Sequence, residues 1–201
     1  ATLPATLANR VEWLDAPPEE GWNGALLANE VLDALPVECF VRHNGQFLEC
    51  GVAVDAEGRL CWQDHPASLA MQAEVGRMQV DADSQWLEGY TSELCTRAGA
   101  WIEEVTRTMV RGVALFIDYG LPRREYYSAA RDRGTLRCHY RQRAHDDPFA
   151  HPGMEDITAW VDFTRVAEAA DTAGLDVLGY GTQMGALLGL GIESMIATAP
   201  D

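Results

Sequence analysis

The chain has no lysine. All fifteen of its basic residues are arginines, set against thirty-one carboxylates, for a formal net charge of −16 over 201 residues. That deficit of positive charge argues against a phosphate-rich partner, because gripping nucleic acid requires a basic patch. The same acidity suits a cationic substrate such as an arginine side chain, although solubility alone accounts for it equally well. Long apolar runs are missing too. None approaches the ~20 residues of a membrane-spanning helix, and Ala1 to Arg10 has neither the basic start nor the apolar stretch of a signal peptide. A cytoplasmic protein without a membrane partner is therefore the default expectation, with the oligomeric state open.

Cysteine is sparse and badly spaced for structure. Cys39, Cys50, Cys61, Cys95 and Cys138 are odd in number and never closer than eleven positions, so neither a disulfide framework nor a zinc knuckle is indicated, and reduced thiols are expected. No serine lies in a nucleophile-elbow pattern and no cysteine has a partner histidine in a known arrangement, which leaves hydrolase chemistry without support. What the chain does have is apolar content. At 47% hydrophobic it can build one well-buried domain, since single cores span roughly 100 to 200 residues.

Read along the chain, Ala1 to Trp13 suggests a short helix and a strand, and Asp15 to Gly21, with two prolines and three acids, a loop. Gly24 to Ala28 reads as a buried parallel strand ending in the polar pair Asn29 and Glu30. Val37 to Gln63 reads as a three-stranded meander, turned at Asn44-Gly45 and again over Asp55 to Gly58. Residues 64–89 read as an irregular connection with a short helix near Ser68 to Gly76. Tyr90 to Arg111 has apolar residues near helical spacing, with Gly112 as its stop. Val113 to Ile117 is a second buried strand, finishing in Asp118-Tyr119-Gly120. Thr135 to His139 is extended, Arg141 to Glu155 a polar loop, and Asp156 to Thr158 a helix lead-in. An amphipathic helix over Val161 to Ala173, a strand over Leu175 to Tyr180 and an apolar helix over Gln183 to Leu190 complete the pattern. A helix feeding a strand with a polar tip is an α/β crossover unit.

Two motifs are decoys on these grounds. Gly179-Tyr180-Gly181-Thr182-Gln183-Met184-Gly185 imitates a dinucleotide loop, but only sixteen residues follow it, too few for the second strand and its ribose-binding acid. His145, Asp146, Asp147 and His151 are chemically able to bind a metal, yet their spacing matches no regular ligand motif and a solvated loop explains them at less cost. No metal is expected. In an open α/β sheet, ligands gather at the carboxyl ends of strands, which singles out Asn29, Glu30 and Asp33 after one strand and Asp118, Tyr119 and Gly120 after the other. Capping of the following helix is the competing explanation for such residues.

The run from Ala28 to Val37, Ala-Asn-Glu-Val-Leu-Asp-Ala-Leu-Pro-Val, resembles the signature of the MidA family of methyltransferases, which includes mitochondrial complex I assembly factors. The likeness continues in order through Ile117-Asp118-Tyr119-Gly120, Gly134-Thr135-Leu136-Arg137, Asp147-Pro148, Pro152-Gly153, Asp156-Ile157-Thr158, Val161-Asp162-Phe163 and Thr182-Gln183. Trp160 departs from it, standing where similar proteins usually carry histidine.

The resemblance implies a Rossmann-like class I methyltransferase fold, α/β with a mostly parallel sheet and an inserted antiparallel meander, and S-adenosylmethionine as cofactor. Gly24 to Ala28 would be its fourth strand and Val113 to Ile117 its fifth. The first strand, the glycine-rich cofactor loop and the ribose-binding acid would then precede residue 1, and a further strand would follow Asp201. The chain is accordingly expected to be truncated at both ends, a partial domain inactive by itself. The implied activity is methylation of a protein arginine, with a respiratory complex I subunit as the suggested partner. A non-catalytic assembly factor on the same scaffold is the alternative. In the catalytic version Glu30 orients the acceptor and Asn29 lines the methyl and cofactor site. Asp33 is a second carboxylate or a cap, and Asp118, Tyr119 and Gly120 form the opposite, substrate-binding wall.

Overall fold

The computed structural model describes residues 4–198. It opens with a short helix, α1 (Ala5–Ala8); residues 11–13 are not a strand, and the expectation for residues 1–3 lies outside the described residues. Strand β1 (Trp22–Asn29) follows. Strands β2 (Glu38–His43), β3 (Gln46–Val54) and β4 (Leu60–Pro66) form antiparallel hairpins. The first turns at Asn44 and Gly45, both at positive φ, as a two-residue turn of the primed type requires.

Within the stretch that reads as irregular lies α2 (Leu69–Asp81), capped by Ser68, whose hydroxyl accepts from the Met71 amide. It outruns the short helix suggested by sequence because Met71, Val75 and Met78, at helical spacing, all enter the core.

The largest difference from the sequence reading comes next. Tyr90 to Arg111 is not one helix but β5 (Thr91–Leu94), α3 (Ala98–Thr106) and the start of β6 (Met109–Ile117). Strand β5 pairs with β2, so the meander is a four-stranded sheet in the order β4-β3-β2-β5. Pairing across more than fifty residues overrides the local helical period that Leu94 shares with the helix after it. Gly112 is likewise no helix stop. It sits inside β6 opposite Gly24 of β1, where an added Cβ would lie 2.1 Å from the Gly24 carbonyl oxygen.

Strand β7 (Gly120–Leu121), α4 (Arg123–Tyr126), β8 (Arg137–Tyr140) and β9 (Arg143–His145) follow, the last within the stretch read as a polar loop. Asp156 to Thr158 is a strand, β10 (Asp156–Thr158), rather than a helix lead-in, because it pairs antiparallel with β8 in a sheet ordered β10-β8-β9. Strand β11 (Val161–Asp162) pairs parallel with β7 and leads into α5 (Phe163–Thr172). Leu175 to Tyr180 is not a strand and has no pairing partner among the described residues; Leu178 and Tyr180 are exposed. Helices α6 (Gln183–Gly189) and α7 (Ile192–Thr198) close the described chain without a buried residue.

Two cores result. One lies against the four-stranded sheet, where Phe40, Trp86, Tyr90 and Tyr127 pack with the buried face of α2. Trp86 stacks on Tyr90 at 4.6 Å and donates its indole N–H to the Tyr127 carbonyl at 2.7 Å. The other joins Leu32, Ile102, Val161 and Val166, with Trp101, Phe116 and Phe163 around them. It anchors one side of the parallel pair β1–β6 on α3 and α5. The sequence suggested strands buried throughout, but Leu27, Val113 and Leu115 are exposed, because no described element covers the other side of the pair. No helix among the described residues is long and apolar enough to cross a membrane.

Candidate functional site at the paired strand tips

Because β1 and β6 run parallel and in register from Gly24–Gly112 to Asn29–Ile117, their carboxyl ends coincide. The ladder extends one step further, with the Glu30 amide donating to the Ile117 carbonyl at 2.9 Å. There the chain bends sharply, and Glu30 takes a φ of +50°, in the left-handed region. A non-glycine residue held in this way costs about 1 kcal/mol or more unless its surroundings fix it.

What fixes it is Asp118. One oxygen of its carboxylate accepts from the amides of Val31, Leu32 and Asp33 at 3.2, 2.9 and 3.2 Å, while the other accepts from the Tyr119 amide at 2.8 Å. Sequence reasoning made Asp118 a wall of the substrate site. In the structure its carboxylate is engaged by backbone amides of both tips. Gly120 also has a packing role, since a Cβ there would lie 2.2 Å from the Val161 carbonyl oxygen of the neighbouring strand.

The remaining residues stay available. Asn29 and Glu30 are exposed, and the Tyr119 hydroxyl donates to Glu30 Oε1 at 3.1 Å. Accepting that bond, and its charge, lets Glu30 hold the Tyr119 phenol above its usual pKa. Asp33 is buried, and one of its carboxylate oxygens has no hydrogen-bond partner. Burial raises its pKa, followed by the neighbouring charge of Asp118. Three carboxylates thus share the tips, and none forms an ion pair among the described residues. A cation placed beside them would relieve this imbalance, so the residues suit a positively charged ligand.

The tips lie on open surface. A cavity of about 20 Å³ bounded in part by Leu32, Tyr126 and Asp162, and a hollow beside Gly45 and Gln72, do not include Asn29, Glu30, Asp118 or Tyr119 in their walls. The turn at Gly179 to Gly185 is exposed and follows no strand; its Thr182 hydroxyl accepts from the Gly185 amide and caps α6.

Two buried polar groups escaped the sequence reading. Glu93 is fully enclosed, and burial raises its pKa. It receives the Tyr126 hydroxyl at 3.0 Å together with the amide and hydroxyl of Thr135. Arg123, 3% exposed, binds Asp162 at 3.0 Å, Asp81 at 2.9 Å and Glu168 at 2.6 Å. Thr135 and Asp162 lie within the quoted family motifs, which is the one sequence signal that pointed near either group.

The family model described as S-adenosyl-L-methionine-dependent methyltransferase matches residues 1–181. A crystal structure from Burkholderia thailandensis, bound to S-adenosyl-homocysteine, is similar with a TM-score of 0.88 and 43% identity, over 97% of this chain and 49% of that one. A second crystal structure from the same organism matches at 0.88 and 44%, over 96% and 50%. Among curated proteins, the protein arginine methyltransferase NDUFAF7 of Danio rerio, named as mitochondrial, is 30% identical over 173 residues, 84% of this chain and 37% of its own length. The Drosophila melanogaster homologue is 30% identical over 158 residues, 74% and 32% respectively. The chain therefore spans about half the length of the solved relatives and about a third of the curated ones. The likeness carries with it the Rossmann-like methyltransferase fold, with parallel and antiparallel sheets.

Proposed function

Since this chain belongs to the MidA-like family of S-adenosylmethionine-dependent methyltransferases, we propose that it supplies the acceptor side of a methyl-transfer site, with a protein arginine as acceptor. The observation that carries this reading is the unpaired acidity of the strand tips. Glu30, Asp33 and Asp118 meet there without an arginine to balance them, and Asp33 has a buried oxygen without a partner. When bound, S-adenosylmethionine supplies a methyl group on a positive sulfonium, so that the leaving group is a neutral thioether.

The chain's own residues do the remainder. Glu30, exposed and pointed by its bend, pairs with the guanidinium and aligns one nitrogen for in-line attack. As the nitrogen–carbon bond forms and the carbon–sulfur bond breaks, Glu30 takes the proton that the nitrogen sheds. The Tyr119 hydroxyl holds the carboxylate in place through its 3.1 Å bond. Asn29, one position back on β1, presents its amide to the cofactor side. Asp118 keeps the two tips in register. The names of the curated relatives support arginine as acceptor; a respiratory complex I subunit, which the sequence resemblance suggests, is the first protein partner to try.

The complete protein, given S-adenosylmethionine with a labelled methyl group, is expected to label arginine-containing peptides and not their citrulline counterparts, in which the cation is replaced by a neutral isostere. Equal labelling of both, or labelling of small metabolites alone, would defeat the assignment of arginine. A protein that binds the client yet transfers no methyl group to any acceptor would be an assembly factor instead.

A further inference from the structure

The small sheet β10-β8-β9 and the residue leading into β10 bring together three side chains of types that can ligate a metal. Cys138 on the central strand lies directly opposite His145 on β9 and Ile157 on β10. Glu155 immediately precedes β10, and its carboxylate reaches to 3.1 Å from His145 Nε2. One donor atom from each of the three lies within 4.8 Å of the others.

Two of the three side chains are enclosed, His145 is partly exposed, and the group is unsatisfied. Cys138 is fully buried and the Glu155 side chain is 1% exposed. Neither oxygen of Glu155 and neither nitrogen of His145 has a hydrogen-bond partner, although His145 Nε2 and Glu155 Oε2 approach to 3.1 Å. Close but out of line, these atoms face each other without a proton bridging them well. A buried carboxylate in that condition is expensive, and buried charges are found paired or on metals. Thiolate, imidazole and carboxylate together form a donor set suited to a borderline divalent ion, and Zn²⁺ needs only that the three draw in to about 2.0–2.3 Å from it.

We propose that Cys138, His145 and Glu155 bind one divalent cation of the zinc class, with water in the fourth position. The ion ties β8 and β9 to the residue that leads into β10. This site is independent of the strand tips and of the methyl-transfer reading. His145 belongs to the group dismissed on sequence spacing, but its partners are Cys138 and Glu155, seven and ten residues away, rather than the adjacent acids.

The test uses the chain under reducing conditions, loaded with Zn²⁺, separated from free metal and assayed by mass spectrometry, then repeated with Co²⁺. About one zinc per chain is expected, with a thiolate-to-cobalt charge-transfer band that added zinc abolishes. Cys138→Ser is expected to remove the band, and the near-isosteric Glu155→Gln to weaken zinc binding by ~10-fold or more. Cys61→Ser, on β4, is expected to change neither. Wild-type chain that retains no zinc and shows no cobalt–thiolate band overturns the proposal without reference to any variant. So does a band that persists in Cys138→Ser, or zinc affinity in Glu155→Gln equal to that of wild type.

Discussion

The strand tips and the cluster around Arg123 are built from the same kinds of residue with opposite balance. Around Arg123 a buried guanidinium meets Asp81, Asp162 and Glu168, while Arg77 and Arg165 share Glu74. Every strong charge there has a protein partner, and α2, α4 and α5 are joined as a result. At the tips, Glu30, Asp33 and Asp118 come together with only a tyrosine hydroxyl and backbone amides to bond them. Balanced charge holds a fold together; acidity left unbalanced at the open end of a parallel pair is what a cationic ligand can use.

The comparison is broken most forcefully at Arg123. Replacing it with alanine strands Asp162, whose side chain is 5% exposed, and removing one member of a buried pair costs on the order of 3–5 kcal/mol. Chemical denaturation is expected to show that loss, and a variant as stable as wild type would mean the cluster is not structural. Next in size is Asp118→Ala, which leaves the amides of Val31, Leu32 and Asp33 without their acceptor. A loss of about 1–3 kcal/mol is expected, with hydrogen exchange accelerating at those three amides and not in α5.

The pH dependence should be the smallest effect and the sharpest separator, because the two regions respond with opposite sign. Hydrogen bonding to Arg123 lowers the Glu168 pKa from 4.5 to about 2. Its contribution to stability is complete above the unfolded value and is lost as pH falls from 4.5 through about 2. Asp33 is shifted the other way, so its contribution is complete below 3.8 and is lost as pH rises through its higher folded value. Thermal melting across acid pH is therefore expected to give a flatter curve above pH 3.8 for Asp33→Asn than for wild type. Glu168→Gln should flatten the curve below pH 4.5 instead.

The two strand tips of the candidate site were legible in the sequence because they rest on short-range signals: an apolar run, a polar tip, and a run of motif residues around Asn29 to Pro36. The Asn44-Gly45 turn was legible for the same reason. What could not be read depended on distant partners. Strand β5 was absorbed into a helix because its pairing with β2 lies far back in the chain, whereas the helical spacing is local. Strands β7 and β11, two residues each, are too short to have a period. Asp118 reads as a wall residue or a cap from sequence, and the three amides that its carboxylate accepts from lie more than eighty residues away, beyond any local pattern. Gly112 looked like a stop because its true constraint is a carbonyl oxygen on another strand.

Glu30 tests the account most directly, since it is exposed and its side chain is hydrogen-bonded by one hydroxyl. In the complete protein, Glu30→Gln is expected to leave stability within about 0.5 kcal/mol of wild type while lowering methyl transfer to an arginine peptide ~100-fold or more. Undiminished transfer by a folded Glu30→Gln protein would contradict the claim that these strand tips hold the methyl acceptor.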